Sequence, residues 1–227
     1  MIRAVIFDLD DTLISEREYI RSGYRKVAEE LAVQYPVKNA EQWYQKLINT
    51  FNAGSKKVFN DVLEQEKIDY PAEQISALIQ CYRNHYPDIS FLPDAWAVIV
   101  WLNGEHIPIG VLSDGYLETQ RAKCQALNLK KIADYIILTE EYGRAYWKPH
   151  PQGYEEMQKY FGCQWEQMIY VGDNPEKDFA IRRKYPIHTV QIQREGMIYQ
   201  GRDYLYGIRP EYSINNLEEL KDIISLY

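Results

Sequence analysis

Short apolar runs that alternate with helix-like segments constrain the fold of this chain more than any other feature of its sequence. The runs are continuous and rich in β-branched or aromatic residues, as buried parallel strands are, and they cover residues 3–7, 107–112, 135–138, 168–171 and 187–192. Helical patterns cover residues 94–103, 117–127, 152–161, 176–183 and 216–225. Because strands and helices alternate, we predict the α/β class, with a doubly wound parallel sheet covered by helices.

One long segment near the N-terminus departs from this alternation. Residues 15–88 contain no convincing strand pattern and predict three or four helices, which break near Pro36, Gly54 and Pro71. We therefore predict a small all-helical domain at residues 15–88, inserted after the first strand of a core formed by residues 1–14 and 89–227.

Charge and cysteine content exclude several classes of protein. The net charge of −7, from 26 basic and 33 acidic side chains, argues against a nucleic-acid partner, which needs a basic face. The three cysteines are widely spaced and none lies in a CxxC pair, which favours a reducing compartment over a disulfide framework or a zinc site. No leader pattern is visible, and the longest apolar run, residues 95–102, is too short to span a bilayer. We expect a cytoplasmic protein without a membrane partner.

Polar residues follow four of the five apolar runs. Ligands of open α/β sheets bind beyond the carboxyl ends of the strands, so these positions are the candidate site. They are Asp8 and Asp10 after the first run, Ser113-Asp114-Gly115 after the second, Lys148 in the loop after the third, and Asp173 and Asp178 after the fourth.

The aspartates predict a metal site. In an extended segment Asp8 and Asp10 point to the same side, so we expect their carboxylates to converge. With Asp173 and Asp178 they would bring four negative charges into one crevice, which requires a compensating cation. Carboxylate oxygens suit Mg²⁺, and Lys148 is the natural second cation.

The same residues suit phosphoryl transfer. Ser113, Lys148 and backbone N–H groups at a helix start can cradle an anion that faces the carboxylate of Asp8. Asp8 can then attack phosphorus to form an aspartyl phosphate. Asp10 can protonate the leaving oxygen and afterwards activate the hydrolytic water.

Four short motifs carry a family resemblance that spans the whole chain. In order, DLDDT, SDG, KPHP and GDNPEKD resemble the four motifs of the haloacid dehalogenase (HAD) superfamily. The resemblance implies a Rossmann-like core under a mobile lid, with the helical block as the cap between the first two motifs.

The resemblance also implies a role for each motif residue. Asp8 corresponds to the nucleophile and Asp10 to the general acid/base, while the Mg²⁺ ligands correspond to Asp8, the main-chain carbonyl of Asp10, and Asp173. Asp178 corresponds to a group that orients the motif lysine or a metal-bound water, and Thr12 to a threonine that supports the first loop. The phosphoryl clamp corresponds to Ser113, Lys148 and the backbone amides of Asp114 and Gly115.

One motif position departs from the family pattern. The residue after the serine of the second motif is more often asparagine, whereas here it is Asp114, which adds negative charge near the predicted phosphoryl site. The clamp of the family uses the backbone at this position, so the departure concerns only the side chain.

The expected function is that of a Mg²⁺-dependent phosphatase, acting on a small phosphorylated metabolite as a monomer or homodimer. A phosphomutase or phosphotransferase on the same scaffold is the alternative, and a dehalogenase-like hydrolase is disfavoured because dehalogenases of the family lack the second aspartate, here Asp10. Five cations of the helical block are better explained as a solvated face than as substrate contacts, a choice that the sequence leaves open for Arg17, Arg21, Arg25, Lys56 and Lys57.

Overall fold

The computed structural model describes residues 1–227 and divides them into two compact units. The first unit comprises Met1–Arg17 and Ile89–Tyr227, and the second comprises Glu18–Asp88. The second unit begins three residues after the predicted start of the insert at residue 15 and ends at the predicted residue 88. None of the helices in either unit has the length and apolar character needed to cross a bilayer.

A six-stranded parallel sheet organises the first unit, in the order β3-β2-β1-β4-β5-β6. The strands are β1 Ala4–Phe7, β2 Ile109–Ser113, β3 Tyr135–Leu138, β4 Met168–Gly172, β5 His188–Ile192 and β6 Tyr212–Ile214. The chain builds outward from β1 to β3 and then returns to the other side of β1 with β4, so the order reverses between β1 and β4. The predicted α/β, Rossmann-like, doubly wound sheet is confirmed.

β1 lies inside the sheet, between β2 and β4, and all of its residues are apolar. Every residue of β1 and β4 is buried, as expected for strands that are covered on both faces. Val5 and Phe7 belong to one hydrophobic core, and Ala4 and Ile6 belong to the other. This alternation follows from the two-residue period of a strand. Packing on both faces holds β1 in place and with it the position of its carboxyl end.

Four helices of the first unit flank the sheet: α5 Pro93–Gly104, α6 Leu117–Ala126, α7 Gln152–Phe161 and α8 Leu220–Ser225. The patterns at 94–103, 117–127 and 152–161 therefore predicted their helices to within one residue. In the pattern at 216–225, a short 3₁₀ turn, Leu217–Glu219, precedes α8.

The helix predicted at residues 176–183 is wrong, since only a 3₁₀ turn at Ala180–Arg183 forms there. The backbone N–H of Asn174 donates to the Asp178 carboxylate over 2.8 Å. Such local side-chain bonds offer the backbone an alternative to the helix, and here they keep the segment in a tight loop.

The second unit consists of four helices: α1 Glu16–Gln34, most of which lies in it, α2 Ala40–Asn52, α3 Val58–Gln65 and α4 Ala72–Asn84. It has an apolar interior of its own, in which Trp43, Leu47 and Leu63 are fully buried. A Cβ atom at Gly23 would lie 2.5 Å from the Tyr82 ring, so glycine permits α1 and α4 to approach closely.

Candidate active site

Neighbouring strands bring the predicted motif residues to one edge of the sheet. Asp8 follows β1, Ser113 ends β2, and Asp173 follows β4, and β1 lies between β2 and β4. Lys148 comes from the loop between β3 and α7, and all four residues are buried. The reversal of strand order between β1 and β4 marks the crevice where sheets of this kind bind ligands.

Lys148 forms the centre of the site. Its fully buried Nζ lies 2.5 Å from Asp8 Oδ1 and 3.0 Å from Asp178 Oδ1. It also donates to the hydroxyl of Tyr170 over 2.7 Å, and that hydroxyl donates to Asp178 Oδ1 over 2.9 Å. Burial lowers the pKa of Lys148, but the charges of Asp178 and Asp8 raise it well above its usual value. The lysine is therefore a fixed cation.

Asp178 is oriented by its surroundings. Besides Lys148 and Tyr170, its carboxylate accepts a hydrogen bond from the backbone N–H of Asn174. A Cβ atom at Gly172 would lie 2.5 Å from Asp178 Oδ2, so a glycine is needed at the end of β4. The predicted proximity of Asp178 to Lys148 is thus present in the structure. The sequence reasoning missed Tyr170, because one tyrosine inside an apolar strand is usually core.

Three carboxylates form a compact acidic cluster. Oxygens of Asp8, Asp173 and Asp178 all lie within 4.8 Å of one another, and all three residues are buried. Burial raises the pKa of Asp8 to about 6 despite the opposing charge of Lys148. Burial, followed by the charges of Asp178 and Asp8, raises the pKa of Asp173 well above its usual value.

An unpartnered oxygen indicates what this cluster can hold. Oδ2 of Asp173 is buried and has no hydrogen-bond partner. A buried carboxylate oxygen without a partner is costly, and a hard cation with oxygen ligands would satisfy it. The donor set therefore fits a divalent cation of the Mg²⁺ type.

The carboxylate of Asp10 is not a member of this three-carboxylate cluster. β1 ends at Phe7, so Asp10 lies beyond the end of the strand. The Asp10 carboxylate instead accepts hydrogen bonds from Lys123 Nζ over 2.6 Å and from Gln120 Nε2 over 2.8 Å.

Those two donors also set the charge state of Asp10. Burial raises the pKa of its carboxyl, but the charge and hydrogen bond of Lys123 and the hydrogen bond of Gln120 lower it below its usual value. The sequence reasoning missed both donors. Their signal is a glutamine and a lysine three residues apart on one helix face, directly after the SDG motif.

The unusual charge of Asp114 is compensated within the site. Its Oδ1 accepts hydrogen bonds from Thr139 Oγ1 over 2.8 Å and from the backbone N–H of Lys148 over 3.1 Å. Its Oδ2 lies 3.1 Å from Nζ of Lys177, a residue of the GDNPEKD motif that the sequence reasoning missed. Burial raises the pKa of Asp114, but the charges of Lys148 and Lys177 lower it below its usual value.

The remaining motif residues lie around the same centre. The hydroxyl of Ser113 accepts a hydrogen bond from Gln120 Nε2 over 3.1 Å. Gly115 has a φ of 139°, where a side chain would be strained, and a Cβ there would lie 2.7 Å from Gln120 Nε2. Thr12 Oγ1 is buried without a partner, while its main-chain carbonyl accepts from Arg194 Nη2 over 3.4 Å. The contact of Thr12 with Arg194 is therefore made by its backbone carbonyl and not by its side chain.

Two of the five cations considered as substrate contacts interact with other residues of the protein. Arg17 Nε donates to the carbonyl of Gly196 over 2.6 Å within the first unit. The guanidinium of Arg25 lies 4.6 Å from the centre of the Tyr44 ring within the second unit. Arg17 is half-buried, and the other four members of the set are exposed: Arg21, Arg25, Lys56 and Lys57.

Comparison with known proteins places the chain among phosphatases. The family described as haloacid dehalogenase-like hydrolase matches residues 5–192. Glyceraldehyde 3-phosphate phosphatase of Methanocaldococcus jannaschii is 27% identical, covering 99% of this chain and 97% of that protein. Pyrophosphatase PpaX of Oceanobacillus iheyensis is 23% identical, covering 99% of this chain and 96% of that protein.

A solved structure shares the fold. The HAD-hydrolase YfnB of Bacillus subtilis, crystallised with bound magnesium, superposes with a TM-score of 0.69 at 20% identity, over 98% of both chains. The family match covers most of this chain. The two curated relatives named above have phosphatase names, and the match covers nearly the whole length of each. The resemblance inferred from the four motifs is therefore confirmed. The chain belongs to the haloacid dehalogenase-like hydrolase family and is an enzyme of its phosphatase type.

Proposed function

We propose that this enzyme is a Mg²⁺-dependent phosphatase that hydrolyses a small phosphomonoester through an aspartyl phosphate on Asp8. The observation that carries the proposal is Lys148, buried between Asp8 and Asp178. These two carboxylates form a cluster with Asp173, one oxygen of which has no partner. A nucleophile, a fixed cation and an acidic cluster within a few ångströms are the elements that phosphoryl transfer needs.

Binding of the phosphoryl group is the first role of the chain. Lys148 supplies positive charge, while the Ser113 hydroxyl and the backbone amides of Asp114 and Gly115 supply hydrogen bonds to phosphoryl oxygens. Ser113 and Lys148 are both buried, so these interactions act with little competition from water.

Asp8 carries the first chemical step. One of its carboxylate oxygens attacks phosphorus in line, forming an acyl–phosphate bond as the ester P–O bond breaks. The negative charge of the bound phosphoryl group opposes the lowering of the Asp10 pKa by Lys123 and Gln120, so that Asp10 can be protonated in the complex with substrate. Asp10 then gives this proton to the leaving oxygen, and the alcohol product departs. The hydrogen bond from Lys148 keeps the other oxygen of Asp8 in place.

Hydrolysis of the aspartyl phosphate is the second step. Asp10, now a carboxylate, accepts a proton from a water molecule that attacks the phosphorus. The acyl–phosphate bond breaks, inorganic phosphate leaves, and both aspartates return to their starting states.

A divalent metal fits the same centre. Asp8, the main-chain carbonyl of Asp10, and Asp173 would hold Mg²⁺, while Asp178 remains engaged with Lys148. When bound, Mg²⁺ neutralises charge on the transferring phosphoryl group.

The substrate is proposed to be a small phosphorylated metabolite. The curated relatives act on glyceraldehyde 3-phosphate and pyrophosphate, which makes triose phosphates and pyrophosphate the first compounds to test. The unit Glu18–Asp88 is proposed as the cap that selects the leaving group, and lids of this kind exclude water during the reaction.

Release of inorganic phosphate tests the proposal. We expect release from one chemical class among phosphorylated sugars, nucleotides, small acids and pyrophosphate, with Mg²⁺ and not with chelator. Asp8→Asn, checked by circular dichroism for an unchanged fold, should be inactive. Metal-dependent turnover by folded Asp8→Asn contradicts the nucleophile assignment, and transfer of the phosphoryl group to a second position of the product identifies a mutase.

A further inference from the structure

We propose that Gln120 and Lys123 of α6 are positioning residues that hold the Asp10 carboxylate in the orientation needed for proton transfer to the leaving oxygen. The inference rests on the proposed function, in which Asp10 is the general acid/base. Neither residue belongs to the four motifs, and both were found only from the structure.

Lys123 contacts Asp10 from the protein interior. Its side chain is only 4% exposed, and its Nζ lies 2.6 Å from Asp10 Oδ1. Burying an ammonium group is costly unless a close charge compensates it. Lys123 and Asp10 therefore form a largely buried ion pair. Exposed ion pairs on the surface, by contrast, contribute little to stability.

Gln120 links Asp10 to the second motif. Its Nε2 lies 2.8 Å from Asp10 Oδ2, 2.6 Å from the carbonyl of Asp114 and 3.1 Å from Ser113 Oγ. The same nitrogen occupies the space that a Cβ at Gly115 would need. One buried amide thus connects the proposed acid/base with the proposed phosphoryl clamp.

The two donors bind different oxygens of one carboxylate. Lys123 binds Oδ1 and Gln120 binds Oδ2, so together they fix the plane of the group. A carboxylate offers about four lone-pair positions, so these bonds leave capacity for the substrate. Misplacement of a reacting group by about 1 Å can slow a reaction about 100-fold.

The helix supplies the rigidity. Residues 120 and 123 lie on one face of α6, which starts at Leu117, shortly after the SDG motif. Arg121, on another face, is about half exposed and pairs with Glu118 and Glu141. Arg121 therefore provides a matched control on the same helix.

Leaving-group dependence tests the proposal. Esters with poor leaving groups, such as alkyl phosphates, need a proton from the acid, whereas nitrophenyl phosphate needs little help. We expect Lys123→Met and Gln120→Met to lower kcat/KM about 10- to 100-fold for alkyl phosphates and far less for nitrophenyl phosphate, with KM changed less than about twofold. Lys123→Arg should recover part of the loss, and Arg121→Met should match the wild type.

Asp10→Asn separates failure of this inference from failure of the proposed function. If Asp10→Asn steepens the leaving-group dependence and both methionine variants leave it unchanged, the positioning role is wrong and the acid role stands. If Asp10→Asn also leaves it unchanged, the acid role itself is wrong. A variant that fails to fold by circular dichroism is replaced by the other, since each removes one of the two donors.

Discussion

At the scale of single residues, the hydroxyl of Tyr170 connects Lys148 with Asp178. It accepts from Lys148 and donates to Asp178, and all three side chains are buried. Hydrogen bonds that involve charged groups are stronger than neutral ones, so this hydroxyl is expected to affect the position of Lys148 more than its small size suggests.

Removal of that hydroxyl is the first prediction. Tyr170→Phe should lower kcat about tenfold, which corresponds to about 1.4 kcal/mol, because Lys148 loses one of its three anchoring groups. Steady-state kinetics at saturating Mg²⁺ measure the effect. Tyr160→Phe, which removes a hydroxyl bonded to the carbonyl of Asp134, is the control and should keep wild-type kcat. A Tyr170→Phe enzyme with unchanged kcat contradicts the anchoring role.

The pair of Asp114 and Lys177 leads to a second prediction. Asp114→Asn should lower the free energy of unfolding by about 1–3 kcal/mol, because the Lys177 ammonium loses its 3.1 Å partner. Lys177→Gln in the same chain should restore part of that loss. A double-mutant cycle from denaturant unfolding measures the coupling. Additive effects of the two changes would show that the pair makes no net contribution.

At the scale of secondary structure, Asp94 joins three segments that are distant in sequence. It lies in the first turn of α5 and pairs with Arg194 Nη1, beyond β5, over 2.6 Å. It also accepts a hydrogen bond from the backbone N–H of Leu217 over 2.9 Å. Burial raises the pKa of Asp94, but these hydrogen bonds and the charge of Arg194 lower it below its usual value.

A pH-dependent loss of stability follows as the third prediction. Because the pKa of Asp94 is lower in the folded state, its stabilisation is present above its usual pKa and is lost as the pH falls. Asp94→Asn should therefore lower the free energy of unfolding by about 1–3 kcal/mol at neutral pH. The difference from wild type should shrink below about pH 4. The exposed Glu105→Gln at the end of α5 is the control, and a difference that grows on acidification contradicts the prediction.

The sequence predicted those elements whose signal is local and periodic. β1 has a continuous apolar run and α7 has apolar residues at helical spacing, and the structure has both within one residue of the prediction. β6 was missed because three residues, Tyr212–Ile214, are too few for a periodic signal. The helix predicted at residues 176–183 does not form because the Asp178 carboxylate accepts the Asn174 N–H. Lys148 and Tyr170, which come from other elements, hold that carboxylate in place, and the sequence pattern does not contain this information.

The candidate site was predictable to the same extent and for related reasons. Strand ends were sufficient to bring Asp8, Asp173 and Lys148 together, because parallel strands end at one edge. The hydrogen-bond partners of the Asp10 side chain were not predictable, since both donors come from α6, 110 and 113 residues further along the chain.

At the scale of the whole molecule, metal binding should stabilise the fold, which is the fourth prediction. A ligand that binds only the folded state adds about 2.7 kcal/mol to the free energy of unfolding at 100 times its dissociation constant. Mg²⁺ should therefore raise the Tm of the wild type relative to chelator. Asp173→Asn should abolish most of that shift, because the variant replaces one oxygen of the acidic cluster with an amide. An equal shift in both proteins contradicts the metal assignment.

Capture of the covalent intermediate tests nucleophilic catalysis by Asp8 directly. Asp10→Ala enzyme, mixed with Mg²⁺ and a phosphate ester that has a good leaving group, is quenched in acid, digested and analysed by mass spectrometry. We predict one added phosphoryl group on the peptide that contains Asp8, because the base that activates the hydrolytic water is missing. The label should be absent from Asp8→Asn/Asp10→Ala enzyme. A phosphoryl group on another residue, or unchanged labelling of the double variant, would contradict nucleophilic catalysis by Asp8.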